Sequence, residues 1–175
     1  MRGTERLSAV ERSTPPMEMA LPDLPMRETV MVRLIRIAMV GLGHYFEPVF
    51  RDLGLSEYSF HVLCLLLASE NGIASPSELS ELVGTSRANM TRILDLLVAD
   101  GLASRAVESR DARRFVIRIT AAGRKAATQA VPKLIEPLER AFSGLSADEF
   151  SMLEQLLRKV IVSFDKSALP LRAAA

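Results

Sequence analysis

Two changes of hydrophobic period and one unevenness of charge predict a mainly α-helical chain with a small β wing. Apolar residues recur at helical spacing through most of the sequence, switch to strict alternation between Phe115 and Ile119, and then return to helical spacing. Arginine gathers around that switch. Seven arginines against four acids lie between Gly84 and Thr120, while the rest of the 175 residues holds more acids than bases. Net charge is only +1, so any attraction for a polyanion is local to this segment.

The elements follow in order. Residues 1–26 contain Pro15, Pro16, Pro22 and Pro25, which argue against a long helix and predict a mobile arm. A helix is expected from Arg27 to about Glu47, apolar on nearly every side, with Pro48 ending it. Ser56 is placed to cap a helix running to about Ser69, which Asn71-Gly72 closes. Ser75-Pro76-Ser77-Glu78 combines a capping box with proline at the first helical position, and a short helix to about Val83 follows. Gly84 turns the chain and Thr85 is the expected cap of a helix to about Ala99, before Asp100-Gly101. Helix, glycine turn and helix make a helix-turn-helix.

Residues 103–107 and 115–119 then predict a two-stranded antiparallel wing, in which Phe115, Ile117 and Ile119 alternate with Val116 and Arg118. Thr120 caps a helix to about Phe142 that Pro132 and Pro137 should kink. Ser146 and Glu149 form a second capping box, opening a terminal helix to about Phe164. The domain reading is an arm at 1–26, one domain at 27–166 with a winged helix-turn-helix lobe at 55–120 and dimerisation helices at 27–50 and 121–166, and a tail at 167–175.

Composition excludes several classes. Half the residues are apolar and a quarter charged, as in ordinary globular domains. One cysteine and two histidines allow neither an internal disulfide nor a tetrahedral zinc site, and no metal or cofactor is expected. The apolar stretches 34–46 and 62–68 are short or interrupted, and no apolar leader follows Met1, so the expectation is a cytoplasmic protein without a membrane partner.

On a helical wheel, Met90, Ile93, Leu94 and Leu97 share one side of the 86–99 helix, with Ala88, Thr91, Arg92, Asp95 and Ala99 opposite. Small residues around one long cation suit insertion in a DNA major groove, with Ser86, Arg87 and Asn89 near phosphates or base edges. The bland alternative is a solvated face on which Arg92 pairs with Asp95. Arg105, Arg110, Arg113, Arg114 and Arg118 crowd the hairpin, where unpaired cations call for an anion, and a hairpin tip fits the minor groove. A merely solvated hairpin is the competing reading. Ser75 and Thr85, at the starts of the two helices, complete the candidate DNA contacts.

The run S-E-L-S-E-L-V-G-T-S-R-A-N-M-T-R-I-L-D-L-L-V-A-D-G-L, followed by D-A-R-R-F-V-I-R-I-T-A-A-G, resembles the MarR family in its recognition-helix core and its wing. The S-P-S-E-L and T-S-R-A-N blocks look most like the EmrR or MprA branch, repressors of multidrug efflux operons. The resemblance implies a homodimer joined by the first and the last two helices. It implies a pseudopalindromic double-stranded operator, released when a small aromatic or anionic effector binds, with efflux or stress genes as targets. It also assigns Arg92 to the recognition helix, Arg113 to the wing tip and Asp111 to steadying the wing. Leu96 departs from the family, many members of which have arginine there.

The resemblance places an effector pocket between the dimerisation helices and the DNA-binding lobe. His44, Tyr45, Tyr58, His61 and Cys64 are the polar or polarizable groups available to it, with Arg51 to neutralise an anion. Each histidine has a purely structural alternative. No catalytic residues are assigned. A thiol-based sensor using Cys64 beside His61, and a winged-helix module for protein contacts, are the competing functions; the apolar run around Cys64 opposes the first and the wing arginines the second.

Overall fold

A computed structural model describes residues 3–108 and 111–166, with the side chains of 108, 111–114, 165 and 166 outside the described residues. The chain forms two compact units, residues 1–134 and 135–175.

Helix α1 covers Gly3–Ala20, which corrects the expectation of an arm kept out of a long helix by its prolines. Pro15 and Pro16 each remove one backbone donor. Just before them the Ser13 and Thr14 hydroxyls add second bonds to the Ala9 and Val10 carbonyls, both at 2.7 Å. Packing decides the outcome. Val10 is buried, and Arg33 of the next helix donates from Nη2 to Ser13 Oγ at 2.6 Å, so tertiary contact overrides local propensity.

Helix α2 covers Met26–Asp52 and runs through Pro48, where an end was expected. Pro48 forgoes only the bond to the carbonyl of His44, on an exposed turn. Phe46 and Phe50 flank it, both buried with ring centroids 6.1 Å apart, and Phe50 meets Phe60 at 5.7 Å. Aromatic packing thus holds the last turn. Contrary to expectation, α2 is by length and composition alone apolar enough to cross a membrane, and Met31, Val32, Met39 and Val40 are exposed.

Helix α3 (Glu57–Ala68) opens as expected on Ser56, whose Oγ accepts from Ser59 N at 3.0 Å. A 3-10 turn at Glu70–Gly72 leads into strand β1 (Ile73–Ala74), which the sequence reading missed. Two residues carry no readable period. Helix α4 (Pro76–Val83) has the expected capping box, and Gly84 adopts the left-handed conformation at φ 71° that its turn requires. Helix α5 (Arg87–Ala99) is capped by Ser86, which accepts from Asn89 N at 3.2 Å. The cap expected at Thr85 lies one residue later, because Ser86 occupies the extended position whose hydroxyl reaches back into the first turn.

Strands β2 (Ala103–Glu108) and β3 (Asp111–Ile119) form the antiparallel wing, and β1 adds to the far edge of β3. The sheet therefore has three strands in the order β1-β3-β2 instead of two. Of the alternating residues Ile117 and Ile119 are buried, while Phe115 is 46% exposed because the hairpin there lies beyond the core. Beneath the sheet lies one cluster of Val62, Leu63, Leu66, Leu79, Met90, Ile93, Leu94, Leu97, Ile117 and Ile119. Each such side chain contributes about 1.5–3 kcal/mol on burial.

Thr120 caps helix α6 (Ala121–Ala141), accepting from Gly123 N at 3.0 Å and donating to the Gly101 carbonyl at 2.7 Å. In the second unit, α7 (Ala147–Lys166) opens with the expected capping box: Ser146 N donates to Glu149 Oε2 at 2.8 Å and Glu149 N to Ser146 Oγ at 3.3 Å. The backbone bond from Ser146 holds the Glu149 carboxyl below its ordinary range. This cap is therefore complete above the ordinary carboxylate pKa and lost as pH falls through the lowered one. Phe142 and Phe150 meet edge to face at 5.4 Å, while Leu138, Leu153, Leu156, Leu157 and Ile161 remain exposed.

Gly123 lets α6 start directly against the turn after α5, since a Cβ there would overlap the Leu102 carbonyl oxygen. That oxygen accepts from Thr120 N at 3.1 Å and has little freedom to retreat. Gly123→Ala is therefore expected to destabilise the fold by about 1–3 kcal/mol, read as a lower urea midpoint at constant slope.

Candidate nucleic-acid interface

Helix α5 is seated by Met90, Ile93, Leu94 and Leu97, each no more than 2% exposed. A helix so anchored can present only one outer face, and Arg87, Ala88, Thr91, Arg92, Asp95 and Ala99 lie on it, all exposed. The side chains along this face are organised among themselves. Asn89 Nδ2 donates to Thr85 Oγ1 at 2.8 Å, and Arg92 Nη2 donates to Asn89 Oδ1 at 3.1 Å. Thr85, displaced from the capping role, thus starts a relay that orients the long cation.

The alternative pairing of Arg92 with Asp95 is not formed. Asp95 instead accepts from Arg105 of β2, whose guanidinium also lies over the Phe115 ring at 5.2 Å from its centroid. Arg105 had been counted among unpaired wing cations, and this corrects it. A sequence pattern could not show the link because its partners come from three elements. The pair ties the wing to α5.

Ser75, Arg87 and Thr91 come together around an open cleft of about 850 Å³, with Phe115 and Val116 on its wing side. The Ser75 hydroxyl caps α4 and lies 3.1 Å from Ser77 Oγ, and the Thr91 hydroxyl donates to the Arg87 carbonyl at 3.0 Å. Arg118 is exposed on β3, opposite Ser104. Of the expected wing contacts, Arg110 and the side chains of Asp111, Arg113 and Arg114 lie outside the described residues.

The proposed ligand set is less gathered. His44, Tyr45, Arg51, Tyr58 and His61 are exposed and Cys64 is half-buried. Arg51 lines a cavity of about 460 Å³ between α2 and α3, together with Glu47, Phe50 and Glu57; the other five do not line it. Tyr45 stands edge-on to Phe46 at 5.0 Å, and His61 meets Phe60 at 6.0 Å. Burial pushes the Cys64 thiol up from its ordinary value, away from the thiolate a redox sensor needs. Among the described residues no cluster of histidine, cysteine and carboxylates could hold a metal.

A MarR family model matches residues 53–114, the lobe just described. The transcriptional repressor MprA of Escherichia coli K12 is 31% identical over 144 residues, covering 82% of each chain. The chain belongs to the MarR family. Its members are transcriptional regulators, and solved members share the winged-helix fold. A MarR mutant from E. coli in complex with operator DNA superposes with a TM-score of 0.70 at 24% identity, over 82% of this chain and 96% of that one. A structure of Bordetella bronchiseptica BpsR, described as showing regulation of its DNA binding by 6-hydroxynicotinic acid, superposes at 0.68 with 25% identity, over 73% and 89%.

Within this MarR-family lobe the Asp95–Arg105 pair is about half exposed, so its own contribution to stability is small. Arg105→Ala is expected to lower unfolding free energy by no more than about 1 kcal/mol in urea titration. DNA affinity should fall by more than this stability loss explains, because the wing then loses its tie to α5.

Proposed function

We propose that this MarR-family chain is a homodimeric repressor that reads a pseudopalindromic operator and releases it on binding a small aromatic or anionic effector. The observation that carries the DNA reading is the outer face of α5, where Arg92 is held by Asn89 and Thr85 among small residues. Ser86, Arg87 and Thr91 contact phosphates or base edges beside it, and Arg110, Arg113 and Arg114, steadied by Asp111, approach the minor groove. The name of the MprA relative supports repression. Regulation of BpsR by a small aromatic acid supports an effector. Efflux or stress genes are the proposed targets, and the cytoplasm the place of action.

Dimerisation accounts for the uncovered apolar residues: Met31, Met39 and Val40 on α2, and Leu138, Leu153, Leu156 and Ile161 on α6 and α7. A second copy, rather than a bilayer, covers α2, which carries Arg33, Arg36 and Glu47 along its length. Sedimentation is expected to show a dimer at micromolar concentration, and monomer alone would refute it.

Mapping the bound genomic sites supplies the operator for the central test. Arg92→Ala should cost about 1–3 kcal/mol on it and relax preference at one base position per half-site. Arg113→Ala should weaken all A·T-rich sequences more evenly and lower the salt slope by about one unit per half-site. Competition against a single-base operator library at two salt concentrations measures both. Base preference surviving in Arg92→Ala but lost in Arg113→Ala would invert the assignment of helix and wing.

A further inference from the structure

Helix α5 carries a large apolar side chain that its seat in the core does not take up. Met90, Ile93, Leu94 and Leu97 are buried and Val98 packs against the same cluster, whereas Leu96 stands 49% exposed. Exposure of a leucine by itself means little. Its place along the helix says more: Leu96 follows Arg92 by four residues and Arg92 follows Asn89 by three, so the three share one row. Helical side chains lean toward the N-terminus. Arg92 accordingly reaches back to Asn89 Oδ1 at 3.1 Å, and the same lean lays Leu96 over the turn from which Arg92 departs. Ala88 and Ala99 beside this row are exposed and too short to keep another surface away. Asp95, the neighbouring acid, is engaged by Arg105 and so does not confront a phosphate backbone as a free charge.

We infer that Leu96 is a specificity-determining residue for DNA, whose methyl groups meet the 5-methyl group of a thymine in the major groove. The inference rests on the reading of α5 as the helix that enters that groove. Guanine, cytosine and adenine present hydrogen-bonding groups there, and thymine adds a methyl group. Leucine offers neither donor nor acceptor. Set against a polar edge it strips water without replacing the bond, and set against a thymine methyl it buries apolar surface on both sides, so preference arises from a penalty as well as a gain. Four residues advance a helix by about 6 Å, against about 3.4 Å per base pair, which puts this thymine one or two base pairs from the position that Arg92 reads.

Competition binding of the full chain to its mapped operator, with thymines replaced in symmetric pairs by deoxyuridine, tests this, because uracil removes the methyl group and keeps the pairing. At one such pair, uracil is expected to weaken wild type by about threefold to fivefold per half-site. Leu96→Ala, which keeps a strong helix former at an exposed position, should bind the thymine operator more weakly by a similar factor and no longer distinguish uracil from thymine there. Preference at the Arg92 position should persist in it. A uracil penalty of equal size in wild type and Leu96→Ala, or no penalty at any thymine, overturns the assignment; loss of base preference in Arg92→Ala then shows that the reading of α5 itself survives. If Arg92→Ala leaves base preference unchanged as well, that reading falls too. A shift of Leu96→Ala toward monomer in sedimentation would make Leu96 a subunit contact and likewise overturn its role in readout.

Discussion

Everything the lobe can do depends on how α5 is seated. Met90, Ile93, Leu94 and Leu97 enter a core made by Leu63 and Leu66 of α3, Leu79 of α4 and Ile117 of β3. Interiors are close-packed, so a helix held at four points along about two turns can neither roll nor slide without opening voids. That fixes which side chains face outward. The outward placement of Arg92 is consequently a property of the core before it is a property of the surface.

Around that seat the chain spends its polar side chains on orientation. Ser56, Ser75, Ser86, Thr120 and Ser146 each satisfy a helix N-terminus, and Gly84 and Gly101 at positive φ turn the chain on either side of α5. The wing is anchored at its base by Ile117 and Ile119, while its outer part relies on exposed contacts such as Arg105 with Asp95 and Phe115. A rigid base with an outer part held by exposed contacts can adjust to a groove without disturbing the helix. This division follows from burial falling away along β3.

Local chemistry explains what was legible in the sequence. Caps, the glycine turn and the period change are short-range signals, and α3 to α5, the wing and both capping boxes stood where those signals put them. What was missed depended on distant partners. Pro15 and Pro16 argue against a helix until α2 supplies Ser13 with Arg33, and Pro48 argues for an end until Phe50 finds Phe60. Strand β1 exists because β3 passes beside Ile73 and Ala74. Thr85 and Ser86 are adjacent candidates for one cap, and only backbone geometry chooses between them. The candidate ligand residues were grouped by their place along the chain, and one of the six lines the cavity between α2 and α3.

The charge arrangement on α5 bears on how this regulator divides affinity from specificity. Asp95 engages Arg105, which removes one wing cation from the supply available to phosphate and leaves Arg92 as the long cation in the middle of the helix face. One turn further on, Leu96 is 49% exposed. An exposed leucine offers no hydrogen bond to a base, but it can meet a thymine methyl. Under the proposed function the helix would supply discrimination through few polar contacts, and the larger share of phosphate attraction would fall to cations off its central face: Arg87 at its start, Arg118 on β3 and the arginines toward the wing tip. Affinity drawn from such contacts is released by salt and by small displacements of the wing, whereas discrimination drawn from a helix locked into the core is not. Under the proposed function, a lobe built this way would let go of DNA without losing the register it reads.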